Sequence, residues 1–341
     1  MIAAKLIASA ALAASVLTPY RAAPAAAISP TAFDELFGVD ATSPQNAWAV
    51  GLYISAPPGF HAHALTEHWN GRAWTRVAAP APAGQTDIQL NGVAATSSSN
   101  AWAVGFFDTS GGLARTVIEH WNGRAWKIQP SPNPGSHSDF LQSVTALSAT
   151  DAWAVGDYST SETTEFTLFE HWNGRTWTRV PSPNLGGRNS AGLTGVAALT
   201  PASIWAVGST ISQLGIGTLA ERWNGRAWKP VASPNPAGPA NFNEPTGVAA
   251  TSATNAWMAG MLTSSSTGAR VVFVEHWNGR SWRQVASPIP AGAISSNLHA
   301  VTATSSASAW AVGYYFKGTQ TLTLIEHWNG TAWKQVASAN V

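Results

Sequence analysis

The 341-residue sequence contains no cysteine. That excludes disulfides, thiolate metal sites and a cysteine nucleophile, so the fold must be held by packing alone. Charge is also scarce: Asp, Glu, Lys and Arg together make up 10% of the chain, and Ser, Thr, Asn and Gly are left to keep the surface hydrated. A basic stripe is missing as well, which argues against nucleic acid or an anionic membrane surface as a partner. Long apolar runs are absent beyond the N-terminus, so no membrane insertion is expected. The N-terminus itself reads as a signal peptide over residues 1–27: Lys5, then an apolar stretch from Leu6 to Leu17, then the small-residue sequence APAAA at 23–27. A short segment, 28–33, would follow. Removal of residues 1–27 takes Lys5 and Arg21 from the 18 basic side chains, leaving 16 against 17 acidic ones, a net charge of −1. A secreted protein, extracellular or at the cell surface, is the expectation, and a monomer.

What the sequence has in excess is tryptophan, and its spacing is regular. Trp48, Trp102, Trp153, Trp205, Trp257 and Trp310 each sit in an AWAVG-like stretch and are separated by 54, 51, 52, 52 and 53 residues. The other tryptophans follow in pairs five residues apart: Trp69 and Trp74, Trp121 and Trp126, Trp172 and Trp177, Trp223 and Trp228, Trp277 and Trp282, Trp328 and Trp333. All 18 belong to this scheme, three per repeat. Six repeats fill residues 34–339, with boundaries near 34–82, 83–134, 135–185, 186–236, 237–290 and 291–339, and leave no room for a second domain.

Each repeat reads as four short strands, shown by the fifth: GVAATS (247–252), NAWMAG (255–260), RVVFVEHW (270–277) and SWRQVAS (281–287). Asn-Gly between the third and fourth strands predicts a two-residue hairpin turn, which would pair Trp121 with Arg124, His120 with Ala125 and Glu119 with Trp126. SPNP or SPIP after the fourth strand cannot continue a ladder and marks the crossing to the next unit. Four antiparallel strands every 52 or so residues predict an all-β fold, a six-bladed β-propeller with four antiparallel strands per blade. An open β-solenoid would use shorter repeats.

The unit resembles the kelch repeat. AWAVG stands where kelch has a strand ending in two glycines, and EHWNGRAWTRV supplies the aromatic third strand, the turn and the tryptophan of the fourth. The resemblance implies a propeller similar to the central domain of galactose oxidase. A copper radical of that kind would need a tyrosine linked to a cysteine, which this sequence cannot supply. The turn also looks like the sialidase Asp-box, with Trp121 where the Asp would stand; shared hairpin geometry is all that this implies.

A repeated scaffold leaves function to the loops that differ. Those between second and third strands, and between one blade and the next, emerge on one face and are the long ones. Candidate ligand-binding residues there are Tyr53, Phe107, Asp108, Asp157, Tyr158, Arg188, Tyr314 and Tyr315: aromatic platforms with polar neighbours, suited to stacking on carbohydrate. The same aromatics could instead cover the core. The repeated Glu-His pairs (67–68, 119–120, 170–171, 275–276, 326–327) lie on third strands, too far apart on a wide ring to share a metal. His61 and His63 are spaced to share a strand face and could bind a metal, but two ligands in one loop are a weak signal. No cofactor or metal is called for. Among Asp108, Asp157, Glu162, Glu165 and Glu244 no carboxylate pair for glycoside hydrolysis can be assigned from sequence. A binding module, with a glycan as its ligand, is the leading expectation; a structural or protein-interaction propeller and a glycan hydrolase or lyase are the alternatives.

Overall fold

The computed structural model describes residues 33–55, 61–85, 87–183, 190–213, 215–238, 241–264 and 267–340. The expected signal peptide and Arg188 lie outside these. Among the described residues, 24 strands form six antiparallel sheets, each built from four strands consecutive in sequence. They are the blades of a six-bladed β-propeller, and no strand is exchanged between blades. The second blade is typical: Ile88–Ser97, Asn100–Asp108, Ala114–Trp121 and Trp126–Gln129.

The single glycine that ends each AWAVG has a backbone cause. In the third blade the first strand bulges opposite Gly156, between its pairings with Val155 and Gly156. The carbonyl oxygen of Phe140 would lie 2.0 Å from any Cβ placed at position 156. Only glycine leaves that space open.

The hairpin between third and fourth strands differs from the expected two-residue turn. Trp121 pairs directly with Trp126, His120 with Lys127 and Glu119 with Ile128, so Asn122 to Ala125 form a four-residue loop. The side chain of Asn122 decides this. Its Oδ1 accepts hydrogen bonds from the N–H groups of Arg124 (3.0 Å) and Ala125 (3.1 Å). Gly123 takes the left-handed conformation, with φ of 87°.

Blades are joined through tryptophan. The second-strand Trp102 is fully buried, lies 4.8 Å from Trp172 and meets Trp177 edge-on at 5.0 Å, both on the hairpin of the next blade. The same contact is made by Trp48 on Trp121 and Trp126, Trp153 on Trp223 and Trp228, Trp205 on Trp277 and Trp282, and Trp257 on Trp328 and Trp333. Each such layer adds directional aromatic contacts to the burial itself.

The Glu-His pairs divide between the two sides of the strand. His120 stacks on Trp102 at 4.3 Å and shares a 2.8 Å hydrogen bond with Asn100. In the fourth blade Arg222 replaces it, holding its guanidinium 5.3 Å from the Trp205 ring. The glutamates at 119, 170, 221, 275 and 326 are fully enclosed. Burial raises all of them, Glu119, Glu170 and Glu221 to about 8 and Glu275 and Glu326 to about 7. Serines of the preceding blade partner three: Ser131 donates to Glu170, Ser233 to Glu275 at 2.5 Å, and Ser287 to Glu326.

Among the described residues five interfaces of this kind are present. Innermost strands pack side by side from the first blade to the sixth in turn, whereas among the described residues the sixth and first blades show no comparable packing.

Candidate functional site

A pocket of about 380 Å³ opens on the first blade. Tyr53 at the end of the second strand, His63 on the third and Arg76 on the fourth line it, with Ala64, the linker 78–81 and Ile88 of the next blade. Register brings the first two together: Tyr53 pairs with His63 across the ladder, and their rings stack with centroids 4.8 Å apart. Arg76 lies over the tyrosine, its guanidinium carbon 3.8 Å from the ring centroid. The Ala-Ala-Pro-Ala linker supplies an apolar wall. An exposed cation beside a phenol, an imidazole and small apolar groups can hold a ligand that carries both a carboxylate and a nonpolar face.

The third blade repeats the arrangement in closed form. Tyr158 stacks on Phe166 at 5.2 Å, and Arg179 both covers its ring at 4.5 Å and donates to its hydroxyl at 2.6 Å. Here the tyrosine is buried and belongs to the core between the second and third blades.

The remaining sequence candidates are dispersed. Phe107 and Tyr315 pack against inter-blade core clusters. Asp157 is buried on the second strand of the third blade. Tyr314 meets His299 at 5.2 Å and Phe316 edge-on at 5.3 Å. Asp108 closes the second strand of the second blade, where its N–H donates to the carbonyl of Asp87. Burial, and then the negative charge of Asp87, push its carboxyl above the usual range. Asp87 in turn accepts from the Ala62 N–H at 3.0 Å and lies 3.4 Å from His61 Nδ1. His61 and His63 thus serve different partners. Among the described residues no group of three potential metal ligands converges.

Arg76 and Asp87 were not singled out from sequence, and His63 only with His61 as a candidate metal ligand. The fourth strand reads Trp-Thr-Arg-Val in the blades of Tyr53 and Tyr158, but Trp-Lys-Gln-Val in that of Tyr315, which also stands two after its second-strand glycine, so the tyrosine alone does not point to Arg76.

No protein-family model matches the chain, and no curated protein does. Solved structures do. One described as YCF48 bound to a D1 peptide is 15% identical, with a TM-score of 0.52 over 92% of this chain and 86% of that one. A protein of unknown function from Dyadobacter fermentans is 8% identical, with a TM-score of 0.56 over 85% and 93%. The Hadza microbial sialidase Hz136 is 10% identical, with a TM-score of 0.50 over 86% of this chain and 65% of that one. At these identities the likeness is one of fold. It supports a propeller and gives no specific support to a kelch or galactose-oxidase relationship.

Proposed function

We propose that the protein is an exported binding module that holds a carboxylate-bearing carbohydrate in the pocket of the first blade. The observation behind this reading is the Arg76 guanidinium held 3.8 Å over Tyr53 beside His63, with an open cavity in front of them. Arginine is the natural partner of a carboxylate, and the Ala-Pro wall suits the nonpolar face of a sugar ring. A neutral-sugar platform fits less well, because Phe107, Tyr158 and Tyr315 spend their rings on inter-blade packing. Titration calorimetry on residues 28–341 with uronate-containing and neutral oligosaccharides tests it. Binding of the acidic set, weakened at least about tenfold by Arg76→Ala, is expected. Equal binding of neutral sugars, or unchanged affinity in that variant, would sink the reading.

A protein ligand is the second reading. The propeller of YCF48, similar in fold, carries a bound peptide, and a pocket with one cation would equally accept an acidic peptide side chain. Peptides tested in the same calorimeter separate the two.

A further inference from the structure

The fold gathers cations that the sequence disperses. The hairpin between third and fourth strands carries an arginine in each of the first five blades: Arg72, Arg124, Arg175, Arg226 and Arg280, separated by 52, 51, 51 and 54 residues, with Thr331 in the sixth. All five arginines are exposed, and among the described residues none forms an ion pair. Lys127, Lys229, Arg283 and Lys334 directly follow the tryptophan that opens the fourth strand and are exposed as well. Most acids lie elsewhere. Five are the glutamates enclosed between blades, and Asp108, Asp139, Glu162 and Glu244 stand at the long-loop ends of their strands. Two acids toward the hairpin side have partners already: Asp151 lies 2.9 Å from His171, and Asp40 accepts from the Ala95 N–H at 2.7 Å.

Short turns set these cations on one face. First and second strands are joined by two residues, as at 98–99, and third and fourth by four, as at 122–125. Both turns lie at the blade ends opposite the long loops, and the hairpin glycine packs on the other turn, Gly123 on Ser99 and Gly225 on Ala202. Turns this short raise no walls, so the face presents repeated tips and not a groove. At the base of the hairpins Trp69, Trp121, Trp172, Trp223 and Trp328 are half-buried. Their ring N–H groups donate to carbonyls of the neighbouring turn at 2.9 to 3.1 Å.

A single linear polyanion would need a groove to lead it from one arginine to the next around the propeller, whereas a planar array of anions meets them together. Guanidinium forks suit phosphate oxygens, and tryptophans whose N–H is already satisfied suit the headgroup layer of a bilayer. We propose that the hairpin face docks, without insertion, on a phospholipid surface rich in anionic headgroups. The first-blade pocket is built at the other end of the blades, from the end of the second strand and the linker 78–81, so docking leaves it open to solvent. Sequence alone argues against an anionic surface because it holds no local run of cations. One arginine per repeat makes a basic face only when the blades stand side by side.

Co-sedimentation of residues 28–341 with lipid vesicles tests this. Vesicles of phosphatidylcholine with about one-third phosphatidylglycerol should bind the protein, pure phosphatidylcholine should not, and affinity should fall steeply with added salt. Arg124→Gln combined with Arg226→Gln should weaken binding by about 25-fold, or about fivefold per arginine. The same double variant should hold acidic oligosaccharide as the parent does, so this proposal and the pocket reading fail separately. Equal binding to both vesicle types, no binding to the anionic ones, or undiminished binding by the double variant overturns the proposal. So does soluble polygalacturonate that binds more tightly than the vesicles and loses that affinity in the double variant, because a linear acidic polymer would then be the partner of the hairpins.

Discussion

Trp205 and Trp310 hold the same place in their blades, yet the first is enclosed by Trp277 and Trp282 of the next blade and the second faces outward, half-buried. Sequence is nearly the same at the two sites; what differs is whether a following blade is there. The repeat therefore fixes which residues can form an interface, and the presence of a following blade decides whether they do. Alanine substitution measures this directly. Trp205→Ala should cost about 3–5 kcal/mol by leaving a large cavity in a closed layer. Trp310→Ala should cost less than about 1.5 kcal/mol, since its neighbours can relax into solvent. Equilibrium urea unfolding of the two variants checks the ratio, and equal losses would break the contrast between enclosed and open faces.

The glutamates give the same comparison in electrostatic form. Glu221 is fully enclosed, with neither carboxyl oxygen partnered, and burial raises it to about 8. Glu67, its counterpart in the first blade, is only half-buried. In the unfolded chain a glutamate gives up its proton near 4.5. Between that pH and about 8 the folded form holds the proton and the unfolded form does not, so stability falls as pH rises through this window and is level on either side. The four other enclosed glutamates act in the same direction. Melting temperature should accordingly decline from pH 5 to pH 8.5. Glu221→Gln should remove on the order of 1–3 kcal/mol of that decline. A flat profile in the native protein would contradict burial of uncompensated carboxyls.

Architecture was legible in the sequence because it rests on period. Tryptophan spacing, the strand-ending glycine and the proline-rich crossings each act locally, and together they require four-stranded blades in series. The turn was misread for an identifiable reason. Asn-Gly alone suggests a two-residue loop, but the Asn122 side chain accepts two further N–H groups and lengthens the loop to four. Site residues were harder to see. Tyr53 and Tyr158 look identical in sequence, each two positions beyond its glycine, and only the packing of a preceding blade makes one a pocket wall and the other a core residue. Arg76 was hidden inside the repeated hairpin, where most arginines are solvated. No local pattern reports that the sixth and first blades lack the packing that the other neighbours share, because that depends on how all the described blades sit together.

A feature confined to its own turn should be blind to the difference between end and middle, and the hairpin asparagines provide it. Asn224 in the fourth blade accepts from the N–H groups of Arg226 and Ala227, both at 3.0 Å. Asn70 in the first accepts from Arg72 at 3.0 Å and Ala73 at 3.1 Å. All partners lie within three residues and are exposed, so alanine at either position should cost about 1 kcal/mol. The losses should be equal within about 0.5 kcal/mol and additive in the double variant, since the turns share no partner. Thermal unfolding of the three variants measures this. A markedly larger loss at Asn224 would mean that the hairpin loop also positions the tryptophan layer beneath it, and that even the smallest local device in this molecule is read through the neighbouring blade.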